Sequence, residues 1–132
     1  MTRTLDSRQL EALRTTLKDR ARQLREEIRQ TLVKSDDEQY TMIADQVRDL
    51  EDDSFADLMV DVNLAEIDRD LQELRLIDAA FLRISDGSYG TCDTCGRAIE
   101  FARLHATPFA SRCFDCQSAY ERNHVQNIGH TL

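Results

Sequence analysis

Two C-x-x-C pairs, Cys92-Asp93-Thr94-Cys95 and Cys113-Phe114-Asp115-Cys116, hold all four cysteines of the chain, and 17 residues separate them. Cysteine thiolates are soft anionic ligands, and four of them complete the tetrahedral shell that Zn²⁺ prefers, at about 2.3 Å from the metal. Two intervening residues let both sulfurs of a pair turn toward one ion. Gly90 precedes the first ligand and Gly96 follows the second, where tight turns must form. The expected cofactor is therefore one structural zinc ion on Cys92, Cys95, Cys113 and Cys116. A full sulfur shell leaves no open position for a metal-bound water, so catalytic zinc is not expected. Thiol redox catalysis normally uses a single C-x-x-C at a helix start in a thioredoxin-like α/β pattern, which is absent. No enzyme activity is expected. His105, His124 and His130 have suitable chemistry but no place in a shell that four cysteines fill.

An even number of cysteines also suits disulfides in a secreted chain. The N-terminal MTRTLDSRQL, however, has no apolar core of a leader and reads as a helix start. No apolar run approaches the roughly 18–20 residues that span a bilayer. A soluble, cytoplasmic protein without membrane contact is expected, and there paired cysteines are more often metal ligands than disulfides. Apolar residues make up 41 % of the 132-residue chain and aromatics 6 %, with no Trp. Such a composition is thin for a large core and suits an elongated fold with a metal staple.

The elements that position the cysteines are helical. Residues 1–86 contain no Gly or Pro, and all four glycines and Pro108 lie beyond them. Asp6 is the expected N-cap of a first helix, with Gln9 completing a capping box. Leu10, Leu13, Leu17, Ala21, Leu24, Ile28 and Leu32 follow at helical spacing, and Val60, Leu64, Ile67, Leu71, Leu74 and Phe81 form a second series. Both contain steps of seven, the seam of a coiled coil. Asp78 interrupts the second seam and is expected either solvated or paired with an arginine such as Arg14, Arg20 or Arg22. Pairing Leu17 with Phe81, Leu24 with Leu74, Ile28 with Leu71 and Leu32 with Ile67 folds the chain back about a midpoint near residue 49. Ser54 and Asp57 make a capping pattern for the second helix, which is expected to stop at Gly87. The fold class is all-α: a long antiparallel coiled-coil hairpin, a small C-terminal four-cysteine zinc-finger head and a short C-terminal helix. Residues 1–86 form the hairpin, with its tip near 45–54, and residues 87–132 the zinc-finger module.

Charge is distributed unevenly along this layout. The chain carries a net charge of −8, which argues against general affinity for nucleic acid, since phosphates are held by Lys and Arg. Residues 35–57 hold nine Asp/Glu and one Arg, whereas residues 1–34 hold nine Lys/Arg and five Asp/Glu. The acidic cluster thus falls at the far end of the expected hairpin. Ile43, Val47, Leu50 and Phe55 are the apolar residues near that turn, expected either to form a local cluster closing it or to offer a partly exposed apolar contact ringed by carboxylates.

Residues 89–116 read Y-G-x-C-x-x-C-G-x-x-I-x-x-x-R-L-x-A-x-P-x-x-x-x-C-x-x-C, on Tyr89, Gly90, Cys92, Cys95, Gly96, Ile99, Arg103, Leu104, Ala106, Pro108, Cys113 and Cys116. This resembles the DksA/TraR family of four-cysteine zinc-finger transcription factors, and the preceding hairpin extends the resemblance to most of the chain. The resemblance implies a regulator that binds RNA polymerase without binding DNA, the coiled coil entering the secondary channel to modulate initiation. It places the family's tip motif D-x-x-D-x-A on Asp49, Asp52 and Ser54, Ser standing in place of Ala. A family arginine that helps docking on polymerase falls on Arg69. The basic side chains with which some members bind ppGpp fall on Leu76, Thr107 and Gln117, none of them basic, which implies weak or absent ppGpp synergy. A monomer is expected. Alternative readings of the same residues are an adaptor coiled coil docking another protein, a channel-entering cleavage factor, and a nucleic-acid-binding zinc ribbon.

Overall fold

The computed structural model describes residues 5–47 and 65–131, and their side chains other than those of Glu66 and residues 124–131. Five helices are seen among them: α1 (Ser7–Lys34), α2 (Glu38–Val47), α3 (Ala65–Asp86), α4 (Phe101–Ala106) and α5 (Phe114–Thr131). No strand occurs among the described residues, and Thr91 and Ala98 form one isolated antiparallel bridge.

The start of α1 is a reciprocal capping box. Gln9 N–H donates to Asp6 Oδ1 at 2.7 Å, and Asp6 N–H donates to Gln9 Oε1 at 3.1 Å, satisfying two amides that the first helical turn would leave unpaired. Leu13, Leu17, Ala21, Leu24, Ile28 and Leu32 are all buried, and Leu10 is half-buried. The helix ends where Ser35, Asp36 and Asp37 intervene. Ser35 Oγ accepts the Asp37 N–H at 3.1 Å and Asp37 Oδ1 accepts the Gln39 N–H at 2.9 Å, so Asp37 caps α2. A stretch without Gly or Pro suggests continuity here. Short polar side chains nevertheless offer the backbone an alternative to the helical ladder, and three in succession suffice to interrupt it.

In α3 the buried residues are Ile67, Leu71, Leu74, Ile77 and Ala80. After Leu74 the stripe thus leaves the expected course through position 78 and Phe81, and Phe81 is only half-buried. Three-residue steps lag the 3.6-residue turn, so successive steps of three rotate the buried face. Ile77 goes inside and the carboxylate of Asp78 stays half-buried, which avoids the cost of fully desolvating a charge. The helix closes with Ser88 N–H donating to Arg83 C=O at 2.9 Å across Gly87, whose φ is +85°. This six-residue loop is the Schellman motif, in which the left-handed residue is most easily Gly.

Leu5, just before α1, lies beside Gly90, just after α3, and Arg20 in α1 pairs with Glu73 in α3. The two helices are the arms of an antiparallel hairpin. The chain divides into two compact units, Leu17–Asp78 and Met1–Thr16 with Ala79–Leu132. In the first, Arg20 Nε and Nη2 donate to Glu73 Oε2 and Oε1 at 2.6 and 3.1 Å, the two-pronged geometry that suits guanidinium and carboxylate. Asp78 bears on Arg25: burial lowers the pKa of that guanidinium and the Asp78 carboxylate opposes the shift. Arg25 was not among the partners anticipated for Asp78. Ala44 and Val47 of α2 are buried, and Ile43 is half-buried. The expected turn near residue 49, with Leu50 and Phe55, lies outside the described residues, as do Val60, Leu64 and the Ser54–Asp57 cap.

Candidate metal centre

The four cysteines arrive at one point through backbone geometry that their flanking residues dictate. Past α3, Gly90 takes φ +88° and lies so close to Leu5 that an added Cβ would sit 3.2 Å from Leu5 Cδ1. Cys92 N–H donates to Arg97 C=O at 2.7 Å, Gly96 N–H to Cys92 C=O at 3.0 Å and Ile99 N–H to Gly90 C=O at 2.8 Å. These bonds fold residues 90–99 into a hairpin-like loop that turns Cys92 and Cys95 the same way. The second pair sits at the start of α5, where Gln117 N–H donates to Cys113 C=O at 2.9 Å. The two pairs are joined directly by Asp93 N–H donating to Ser111 C=O at 2.9 Å.

The four Sγ atoms all lie within 4.8 Å of one another, and Cys95 Sγ and Cys113 Sγ are 3.8 Å apart. A tetrahedron with ligands at about 2.3 Å has edges of about 3.8 Å, so the sulfurs are spaced for one zinc ion and are far beyond disulfide contact. Cys92 is buried, Cys95 is exposed, and Cys113 and Cys116 are intermediate. The thiols do not share protons evenly. Burial pushes Cys92 up, but the backbone amides of Cys95, Cys113 and Thr94, together with the Cys95 side chain, outweigh it and bring the thiol down to about 6. Cys116 is pushed up to about 12, first by its hydrogen bond with Cys113 and then by burial. A divalent cation at the centre removes this competition, because a coordinating thiol is deprotonated outright. The donor set fits one closed, structural zinc site.

A buried framework carries the ligands. Ile99, Leu104 and Ala110 are buried, as is Tyr89. Tyr89 O–H donates to Pro108 C=O at 2.6 Å, Arg83 Nη2 donates to Phe109 C=O at 3.1 Å, and Arg103 Nε donates to Arg112 C=O at 2.9 Å. Three side chains thus hold the linker 108–112 by its carbonyls, immediately before Cys113. Tyr89, Arg103 and Pro108 stand in the sequence motif, yet nothing in their spacing announces these contacts. Arg83 carries no motif signal.

Asp49, Asp52 and Ser54 lie outside the described residues. Arg69 is exposed on α3. Leu76 is 48 % exposed, Thr107 N–H caps α4 by donating to Arg103 C=O at 2.8 Å, and Gln117 Nε2 donates to Glu121 Oε1 at 3.2 Å. His105 packs against Phe101, ring centroids 6.0 Å apart, and is not among the clustered metal-binding groups. The side chains of His124 and His130 are outside the described set. No helix among the described residues is long and apolar enough to cross a membrane.

An antiparallel helical hairpin joined to four clustered cysteines in a small helical head defines a C4-type zinc-finger protein with one structural zinc ion. Residues 87–122 match the sequence model of the prokaryotic dksA/traR C4-type zinc finger. The RNA polymerase-binding transcription factor DksA of Escherichia coli strain K12 is 27 % identical over 125 residues, covering 95 % of this chain and 80 % of that protein. The solution structure of the DnaK suppressor protein from Agrobacterium tumefaciens C58 aligns with a TM-score of 0.57 at 30 % identity, over 89 % of this chain and 96 % of that one. Transcription factor DksA2 from Pseudomonas aeruginosa shares the fold, with a TM-score of 0.60 at 22 % identity, over 90 % of this chain and 88 % of that chain. The chain belongs to the DksA/TraR family.

Proposed function

We propose that this protein regulates transcription by binding RNA polymerase, its helical hairpin entering the secondary channel and its acidic turn reaching the neighbourhood of the active site. The observation that carries this reading is the likeness, over 95 % of the chain, to a relative named as an RNA polymerase-binding transcription factor. Residues 1–86 serve as the arm and residues 87–132 as the head. Asp49 and Asp52 act at the tip, beside Ser54. Carboxylates there alter the electrostatics around the catalytic metal and nucleotide phosphates, shifting the stability of initiation complexes. Arg69, exposed on α3, helps the arm dock.

Zinc, held by Cys92, Cys95, Cys113 and Cys116, takes part in no reaction step. It supplies a fixed tetrahedral cross-link that closes the head. The net charge of −8 opposes direct DNA binding, because phosphate contacts require local positive charge. Leu76, Thr107 and Gln117 offer no cation to a polyphosphate, so ppGpp adds little. The protein acts in the cytoplasm, as a monomer bound to polymerase.

Co-purification with core polymerase tests the reading. The expected result is a stoichiometric complex whose affinity is insensitive to ppGpp. Failure to co-purify would sink it and favour the adaptor coiled coil.

A further inference from the structure

Arg112 occupies a position that the metal site and the C-terminal helix share. It immediately precedes Cys113, and its Nε lies 3.8 Å from Oδ1 of Asp93, the residue immediately after Cys92. Its guanidinium carbon sits 4.1 Å from the centroid of the Tyr120 ring on α5. Its own carbonyl accepts from Arg103 Nε at 2.9 Å, so the backbone beneath the side chain is held in place. The side chain is mostly buried, at 28 % exposure, against 50 % for Asp93.

We propose that the Arg112 side chain is a clamp coupling closure of the metal site to the seating of α5, through its simultaneous contacts with Asp93 and Tyr120. Asp93 and Arg112 flank ligands of different cysteine pairs, which Asp93 N–H donating to Ser111 C=O also joins, so their separation grows when the pairs part. With the pairs together, the cation is held over the Tyr120 ring, nearly two helical turns beyond Cys113, and the guanidinium answers both the carboxylate and the aromatic face. When the pairs separate, Asp93 no longer restrains the guanidinium and α5 loses its fixed contact at Tyr120. Arg112 is thus a positioning residue, acting on α5 rather than on the metal. The clamp does not depend on which partner the protein binds.

Amide exchange at Glu121, followed by NMR in the full-length zinc-loaded chain, tests this. Arg112→Met keeps the apolar stem and removes the charge, while Arg112→Lys keeps a cation. Arg112→Met is expected to speed exchange about two- to fivefold, the range of an exposed cation–π contact, with zinc still bound. Arg112→Lys stays close to the wild type. Removing zinc with a chelator then accelerates exchange more in the wild type than in Arg112→Met. Unchanged exchange in zinc-loaded Arg112→Met, or equal acceleration by the chelator in both proteins, overturns the clamp. Should Arg112→Met fail to retain zinc, Tyr120→Leu decides. It leaves Arg112 and Asp93 intact and introduces a better helix former. Faster exchange at Glu121 then supports the clamp, and unchanged exchange overturns it.

Discussion

Tyr89 shows how much a single side chain carries in the head. Its ring is buried and its hydroxyl donates to Pro108 C=O at 2.6 Å, and burial pushes its pKa up to about 12. Below pH about 10 the phenol is neutral in folded and unfolded chains alike. Between about 10 and 12 the unfolded chain ionises while the folded one resists, so stability contributed by this group is lost as pH rises through that window. Alkaline titration of tyrosinate absorbance should show one of the three tyrosines ionising late, and Tyr89→Phe should abolish that late phase. The same substitution removes one partly buried hydrogen bond and is expected to cost about 1 kcal/mol in denaturant unfolding. At the ligands the effect is larger. Cys113→Ser replaces a soft thiolate with a poor zinc ligand, and metal analysis should find zinc falling from one per chain to a small fraction. The cysteines were legible from residue type and spacing alone, because tetrahedral thiolate coordination tolerates few arrangements. Arg83 and Arg112 were not, since contacts to backbone carbonyls and to a ring leave no periodic trace in the chain.

Among the elements, α1 was the most legible. Six of its seven anticipated seam residues are buried, and its capping box forms as the Asp6–Gln9 pair implies. Strict periodicity over about six turns leaves little choice of buried face. Legibility fell where polar residues compete locally. The break at residues 35–37 comes from side chains bonding to nearby amides, and the shift in α3 from Asp78 and Phe81 toward Ile77 and Ala80 reflects the cost of desolvating a charge. Energies should rank accordingly. Ile28 is 0 % exposed, so Ile28→Ala is expected to cost roughly 2–5 kcal/mol. Glu73→Gln breaks a partly exposed ion pair with Arg20, with side chains 27 % and 39 % exposed. It should cost no more than about 1 kcal/mol, less at high salt. Parallel urea melts of the two variants at low and high ionic strength check this ordering, and a larger loss for Glu73→Gln would contradict it.

For the molecule as a whole, the proposed function gives the zinc head and the acidic segment separate tasks. The head is maintained by a closed sulfur shell and a few carbonyl contacts, while residues 35–57 concentrate nine acids against one Arg. On that proposal the helical arm with Arg69 docks on polymerase, while Asp49 and Asp52 act electrostatically. Binding and activity should therefore be separable by mutation. In vitro transcription from a ribosomal promoter, with wild type and Asp49→Asn/Asp52→Asn compared at equal occupancy of polymerase, tests this most directly. The double variant is predicted to bind core polymerase as the wild type does and to lose its effect on transcript yield. A double variant that binds and still regulates as the wild type does would contradict the proposed action of the acidic turn.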